Sequence, residues 1–262
     1  MEKYGRSLHA QISLGTTSDD RFMPNGYVTE FSKMDNLVIT EKLDGQNNCF
    51  KKSGLYARTH VSPSNLPWDK PLIEKWNLIK NDLGSLEIFG EGMYGIHSIE
   101  YSKLESYFYV FGVRDKGIWL SWEEVEFYAS LFDFPTVPVI EFKNPLKDFL
   151  HVSKDENEVL REWLISNLGM SWEDYTNTDG KLGGFDPLSG EKCSEGFVIR
   201  NANSYEINSG NIEVSHNEFN NLFKLVRESH VKTDTHWTKT WRKAKLINYS
   251  KYNWDSYQYL NI

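Results

Sequence analysis

Cysteine is scarce in this chain: Cys49 and Cys193 stand alone, far apart and without metal-ligand spacing. That excludes a disulfide scaffold and a thiolate zinc site, and it predicts two reduced thiols. Long apolar runs are missing as well. No segment approaches the roughly 18 apolar residues of a membrane span, and the opening "MEKYGRSLHAQISLG" lacks an apolar h-region. The sequence therefore predicts no membrane span, no signal peptide and a cytoplasmic location. A G-x-x-x-x-G-K-[ST] phosphate loop is absent. "GEGMYG", residues 90–95, does match G-x-G-x-x-G, with Asp115 twenty residues beyond. The adjoining stretch "IHSIEYSKLESYFYVF" leads into another strand and not a helix, which excludes a dinucleotide fold. Positive charge is also short, with 29 Lys and Arg against 37 Asp and Glu. A net charge of −8 speaks against a protein that coats nucleic acid. The deficit is uneven. Residues 1–223 carry 21 basic against 34 acidic side chains, and residues 224–262 carry 8 against 3. A polyanion would dock at that basic end, although a basic tail packed on an acidic body gives the same composition.

What the chain has is enough apolar and aromatic material, 39% and 15% of its 262 residues, to bury a sizeable core. Short β-rich runs dominate the first half: "NLVITEKL", "NNCFKKSGLYARTHV", "SLEIFGEGMYGI", "YFYVFGVRD" and "GIWLS". Gly, Asn and Ser punctuate them as turns. Helical spacing marks "DKPLIEKWNLIKND", with Pro71 near its start. Ser121 followed by Glu124 reads as a capping box opening "SWEEVEFYASLFDF". The same logic predicts a helix from Ser153 to a stop at Gly169. Strands return at "SEGFVIRNA", "SYEINSGNIEVS" and "NNLFKLVRE". The pattern is α+β with mostly antiparallel strands and flanking helices.

Within that frame, "TEKLDG" places Lys42 and Asp44 beside Gly45, "GLYART" places Arg58, and "EIFGEG" places Glu91. "YFYVFGVRD" then places Phe111, "SEGFVIR" places Glu195, and "NLFKLVR" places Lys224 and Arg227. A lone K-x-D-G arises by chance in roughly one such chain in twenty, and each carboxylate alone reads as a solvated strand end. The ordered series is specific. It resembles the motifs of the covalent nucleotidyltransferases, which comprise ATP-dependent DNA and RNA ligases and mRNA-capping enzymes. The resemblance is strongest to RNA ligases of the bacteriophage RNA ligase 2 type, over about residues 25 to 245, with "HSIEYSKLESYFYVFGV" and "HVKTDTHW" adding to it.

The resemblance implies a nucleotidyltransferase (ATP-grasp-like ligase) fold over residues 1–227. It also implies that Lys42 attacks the α-phosphate of ATP, expels pyrophosphate and carries AMP. The AMP then passes to a 5′-phosphate of RNA, and a 3′-hydroxyl displaces it. By the same resemblance Glu91 and Glu195 hold Mg²⁺ or Mn²⁺, Phe111 stacks on adenine, and Glu41, Arg58, Lys224 and Arg227 surround the nucleotide. The chemistry requires a neutral amine, so burial or the cations Lys224 and Arg58 are expected to lower the pKa of Lys42. Asp44 is expected to shape the loop. Alternation aims Tyr109 and Phe111 at one face, so either suits the core.

Two departures stand out. Many relatives carry K-x-K where this chain has Lys224-Leu225-Val226-Arg227. About 35 residues remain beyond it, too few for the OB-fold of DNA ligases and capping enzymes. Residues 228–262 are expected to form a short helical tail anchored by Trp237 and Trp241. Its Lys239, Arg242, Lys243 and Lys245 would face nucleic acid. A DNA ligase, a GTP-using capping-type enzyme and a non-catalytic nucleic-acid or AMP-binding module are the alternatives. A kinase or phosphatase that heals RNA ends is the partner a ligase would need.

Overall fold

Turn residues cut the chain into short strands, and a computed structural model shows how they pair. It describes residues 4–16, 20–59, 61–140, 144–150, 154–206, 218–228, 237–239, 241–248, 251, 252 and 254. Among the described residues the strands form two main sheets. The first contains β1 (Arg6–His9), β2 (Leu37–Lys42), β9 (Val139–Ile140), β11 (Gly196–Asn201) and β13 (Glu218–Val226), in the order β1-β13-β11-β2-β9. Only β1 and β13 run parallel. The second, antiparallel throughout, is ordered β12-β8-β7-β5-β3-β4. Its strands are β3 (Gln46–Lys51), β4 (Gly54–Ala57), β5 (Leu86–Gly92), β7 (Phe108–Asp115), β8 (Ile118–Trp119) and β12 (Tyr205–Glu206). A small pair, β6 (Glu100–Tyr101) and β10 (Gly184–Phe185), lies apart. The mostly antiparallel α+β architecture read from the sequence is the one observed.

Five helices flank the sheets among the described residues: α1 (Tyr27–Phe31), α2 (Lys70–Ile79), α3 (Trp122–Leu131), α4 (Glu156–Leu168) and α5 (Trp172–Thr176). The expected capping box closes α3: the Ser121 hydroxyl accepts from Glu124 N–H, and Glu124 accepts from Ser121 N–H. The start of α4 differs from expectation. Ser153 lies outside the described residues, and Asp155 is the cap, accepting from Asn157 and Glu158 N–H. Gly169, at φ 74°, ends that helix in the left-handed conformation glycine favours. The predicted strand "SYEINSGNIEVS" is seen only as β12, since residues 207–217 are outside the described set.

Both faces of the first sheet are covered. Ile39, Phe197, Ile199, Phe223 and Leu225 pack on Tyr27 and Phe31 of α1, Leu160 and Trp163 of α4, and Trp172. Period-two alternation turns Val38 and Leu222 the other way, into a core with Phe50, Phe89, Phe108 and Trp119 of the second sheet. Each fully buried aromatic of this kind stabilises the fold by about 1.5–3 kcal/mol.

The tail is helical only over one 3-10 turn, Trp237–Lys239, among its described residues. It is zipped onto residues 94–96 instead: Ala244 N–H donates to Tyr94 C=O, Ile96 N–H to Arg242 C=O, and Gly95 pairs with Lys243. Trp254 completes the attachment, 6% exposed, with its Nε1 donating to Ser106 Oγ at 2.9 Å.

Candidate active site

The turn 43–45 carries the chain out of β2 in the first sheet and into β3 of the second, so Lys42 stands where the sheets converge. Gly45 has no room for a side chain. A Cβ there would lie 2.6 Å from Gly92 C=O and 2.8 Å from the Met93 sulfur. Asp44 shapes this loop as expected. Its Oδ2 accepts from the backbone N–H groups of Ser98 and Ile99, both at 2.7 Å, while its own N–H donates to the Tyr101 hydroxyl. On the neighbouring strand Gly196 pairs with Lys42, and a Cβ at Gly196 would meet Leu225 C=O at 2.0 Å. The pairing of Gly196 with Lys42 sets Glu195 beside the lysine, with Lys42 Nζ 2.5 Å from Glu195 Oε1.

A cavity of about 430 Å³ opens between the sheets, a volume suited to one nucleotide-sized ligand. Lys42, Arg58, Glu91, Phe111 and Lys224 border it, as does Glu41. Glu91, on β5, accepts from Gly45 N–H at 3.1 Å. Arg58 sits in the turn just after β4 and is exposed. Lys224 pairs with Val198 of β11 and His9 of β1, and shares Asp20, 3.7 Å away, with His9. Phe111 owes its place to a bulge: Phe89 of β5 pairs with Gly112 and Gly90 with Val110, which leaves Phe111 unmatched. An extra residue interrupts alternation and re-aims the strand. Phe111 borders the cavity, whereas the Tyr109 hydroxyl accepts from Glu105 N–H within the core.

Two predicted site residues point elsewhere. The Glu41 carboxylate lies on the opposite face of β2, where it accepts from the Tyr175 hydroxyl at 2.5 Å and from Lys181 N–H at 2.8 Å. Arg227 follows the end of β13 and does not border the cavity; its N–H donates to Glu195 C=O. It supplies no second cation beside Lys224. Lys239, Arg242, Lys243 and Lys245 are exposed along the docked tail, with Arg242 paired to Glu100 at 3.0 Å.

The electrostatics reverse one expectation. Burial pulls the Lys42 ammonium down, but Glu195, Glu91 and Asp44 outweigh it and push its pKa up to about 12. The depression falls on Lys224, which burial, with Lys42 and Arg58 adding repulsion, brings down to about 8. Burial also lifts Glu91 to about 8, with Glu195 and Asp44 adding repulsion and Lys42 opposing. His9, buried beside Lys224, is lowered to about 4.

No cluster of three or more His, Cys, Asp or Glu suited to a metal occurs among the described residues. Two carboxylates, Glu91 and Glu195, do converge on Lys42. A pair of hard oxygen donors fits Mg²⁺ or Mn²⁺ that completes its shell with water and phosphate, and does not fit a closed protein cage.

Several residues at this cavity escaped the motif reading. Tyr4 lies edge-on to Phe111 at 5.3 Å and also touches Phe89 and Trp119. Arg200, 7% exposed, donates from Nη1 to Phe111 C=O and sits over the Trp122 ring at 5.4 Å. Its Nε has no hydrogen-bond partner among the described residues. His97 and Trp237 also border the cavity. Arg200 closes "SEGFVIR", His97 opens "HSIEYSKLESYFYVFGV" and Trp237 ends "HVKTDTHW", so each lay in a stretch of the resemblance without being singled out for the cavity; Tyr4 carried no signal.

Comparison with known proteins gives this site a family. Three solved structures of an RNA ligase from Naegleria gruberi are similar to the chain. One, a variant with ATP and Mn, has a TM-score of 0.43 and 15% identity over 86% of this chain and 61% of that one. A second variant, with AMP and Mn, gives 0.42 and 15% over 85% and 59%. The third, with pyrophosphate, gives 0.41 and 14% over 87% and 60%. The chain thus spans about three fifths of the length of that ligase. Comparison with curated proteins gives no match. The family model "RNA ligase" matches residues 35–226, which hold Lys42, Arg58, Glu91, Phe111, Glu195 and Lys224. By that match, over most of its length, the chain belongs to the RNA ligase family.

Proposed function

We propose that the protein is an ATP-dependent RNA ligase of the bacteriophage RNA ligase 2 type that works through an AMP-bearing Lys42. The observation that carries this reading is the convergence of Lys42, Glu91, Glu195, Lys224, Arg58 and Phe111 on one site. The neutral Nζ of Lys42 forms a bond to the α-phosphorus of ATP while the bond to the bridging oxygen breaks, and pyrophosphate leaves with that electron pair. Lys224 and Arg58 hold phosphate oxygens, and Phe111 supplies an aromatic surface for adenine. Glu91 and Glu195 would hold Mg²⁺ or Mn²⁺, which would supply the positive charge that those carboxylates otherwise take from Lys42. A quarter of the Lys42 side chain remains exposed, which gives its proton a route to water. The AMP then passes to an RNA 5′-phosphate, and a 3′-hydroxyl attacks that activated end with release of AMP. The body is residues 1–227, the described tail residues 237–239 and 241–248 lie at the strand side, and an end-healing kinase or phosphatase in the cytoplasm prepares the termini.

The test is incubation with ATP labelled at the α-phosphate, with Mg²⁺ or Mn²⁺, for wild type and Lys42→Ala. Acid-labile label on the wild type and none on the variant is the expected result. Wild-type protein free of bound AMP that takes no label, or a variant that labels equally, sinks the reading.

A further inference from the structure

The family match ends at residue 226, yet the chain beyond it returns to the cavity. The pairing of residues 242–244 with 94–96 brings Trp237 to the mouth, where it borders the same space as Lys42. His97 stacks on this indole, with ring centroids 3.7 Å apart and planes inclined by 23°. Trp68 meets the indole edge-on at 5.0 Å, and Trp241 lies 6.2 Å from Trp68. Gly95 allows the approach, since a Cβ there would be 3.1 Å from the Trp237 ring and 3.3 Å from Trp68 Cβ. The stack is tied to the nucleophile's own loop, because His97 Nδ1 is 3.9 Å from Asp44 Oδ1.

Trp237 and Trp241 contact the body as expected of anchors, yet anchoring leaves part of each ring exposed. Trp254 serves that purpose and is buried accordingly, whereas Trp237, Trp68 and Trp241 are each only partly buried, beside the exposed Lys239, Arg242, Lys243 and Lys245. Flat aromatic surface beside exposed cations matches a nucleobase joined to phosphates: the rings take the base face and the cations the backbone.

We propose that Trp237, backed by His97, is a stacking platform for the first nucleobase of the RNA strand whose 5′-phosphate receives AMP, with the tail cations following its backbone. The occupant is single-stranded at that position, because a paired and stacked base offers no open face. This rests on the ligase reading and adds to it the place where the strand enters and the residues that seat it.

The experiment uses the full chain with a 5′-phosphorylated single-stranded RNA and a matched oligomer whose first nucleotide is abasic. Wild type, Trp237→Ala and Trp237→Phe are compared in two assays. The first is RNA binding by fluorescence anisotropy without ATP, and the second is transfer of AMP from labelled protein at increasing RNA concentration. A single base–aromatic stack is expected to change half-saturation about tenfold. Wild type therefore loses about tenfold on the abasic oligomer, Trp237→Ala loses as much on the normal one and nothing more on the abasic one, and Trp237→Phe recovers most of the loss. Equal binding of the two oligomers by wild type overturns the platform. So does an abasic penalty that persists in Trp237→Ala, or a fall in Lys42 labelling that accounts for the whole loss of transfer in Trp237→Ala. Wild-type protein that takes no label but discriminates between the oligomers sinks the ligase reading and leaves the platform standing.

Discussion

Lys42 and Lys224 are two ammonium groups of one cavity that their surroundings drive in opposite directions. The first has carboxylates against it and rises to about 12; the second has burial and its neighbouring cations against it and falls to about 8. Phosphate bound beside Lys224 holds its proton in place. On the ligase reading, above about pH 8 the unliganded protein gives up that proton and must regain it on binding, so the Kd for ATP is expected to rise with pH. Below pH 8 this group contributes no pH dependence. The expected slope is up to tenfold per pH unit above about 8, and Lys224→Met removes it, as read by calorimetric titration of ATP across that range. A Kd that stays flat through pH 9 in the wild type excludes Lys224 as a phosphate ligand. None of this division between the two lysines was legible in the sequence. Lys42, Glu91, Glu195 and Lys224 were visible as local motifs, but the balance between burial and carboxylates depends on distances across sheets. Tyr4 was silent, and the stretches holding His97 and Trp237 gave no hint that the two rings meet at the cavity, because each gains its place only when distant segments come together.

At the scale of elements, caps and spacing were the readable part. The α3 box is a local arrangement of Ser121 and Glu124, and it holds in the structure. Ser121→Ala is expected to cost about 1 kcal/mol and to lower Tm by about 2–4 °C, as measured by thermal denaturation. An unchanged Tm would mean that the Ser204 hydroxyl, which donates to Glu124 and accepts from Ser121 N–H, holds the helix end by itself. Helix α4 shows the limit of the same signal. Ser153 and Asp155 are both able to cap, and sequence spacing alone does not choose between them. The bulge at Phe111 is less legible still. Strict alternation puts Tyr109 and Phe111 on one face, and the extra residue is defined only by the pairing of β7 with β5. The edges of the fold were therefore clear, while the irregularity that brings Phe111 to the cavity was not.

For the whole molecule the governing feature is the split of charge, with an acidic body and a basic end. Single-stranded RNA releases counterions when cations meet its phosphates, so affinity falls with salt by about 0.7 log unit per contact per tenfold change. Replacing Lys239, Arg242, Lys243 and Lys245 together by Ser is expected to flatten the log–log slope by about 2. That figure is below the full complement because Arg242 already pairs with Glu100. Anisotropy titrations over a range of salt concentrations measure it, and an unchanged slope places the RNA elsewhere on the surface.

The Lys42–Glu195 pair has a consequence for the resting protein. A lysine amine open to solvent invites acylation by the activated phosphates and thioesters of metabolism. An ammonium held by a buried carboxylate has no lone pair to offer. On the ligase reading, the contact that would make Lys42 a poor nucleophile at rest would also guard it from spurious electrophiles, leaving the amine exposed to chemistry only in the presence of the substrate it is meant to meet.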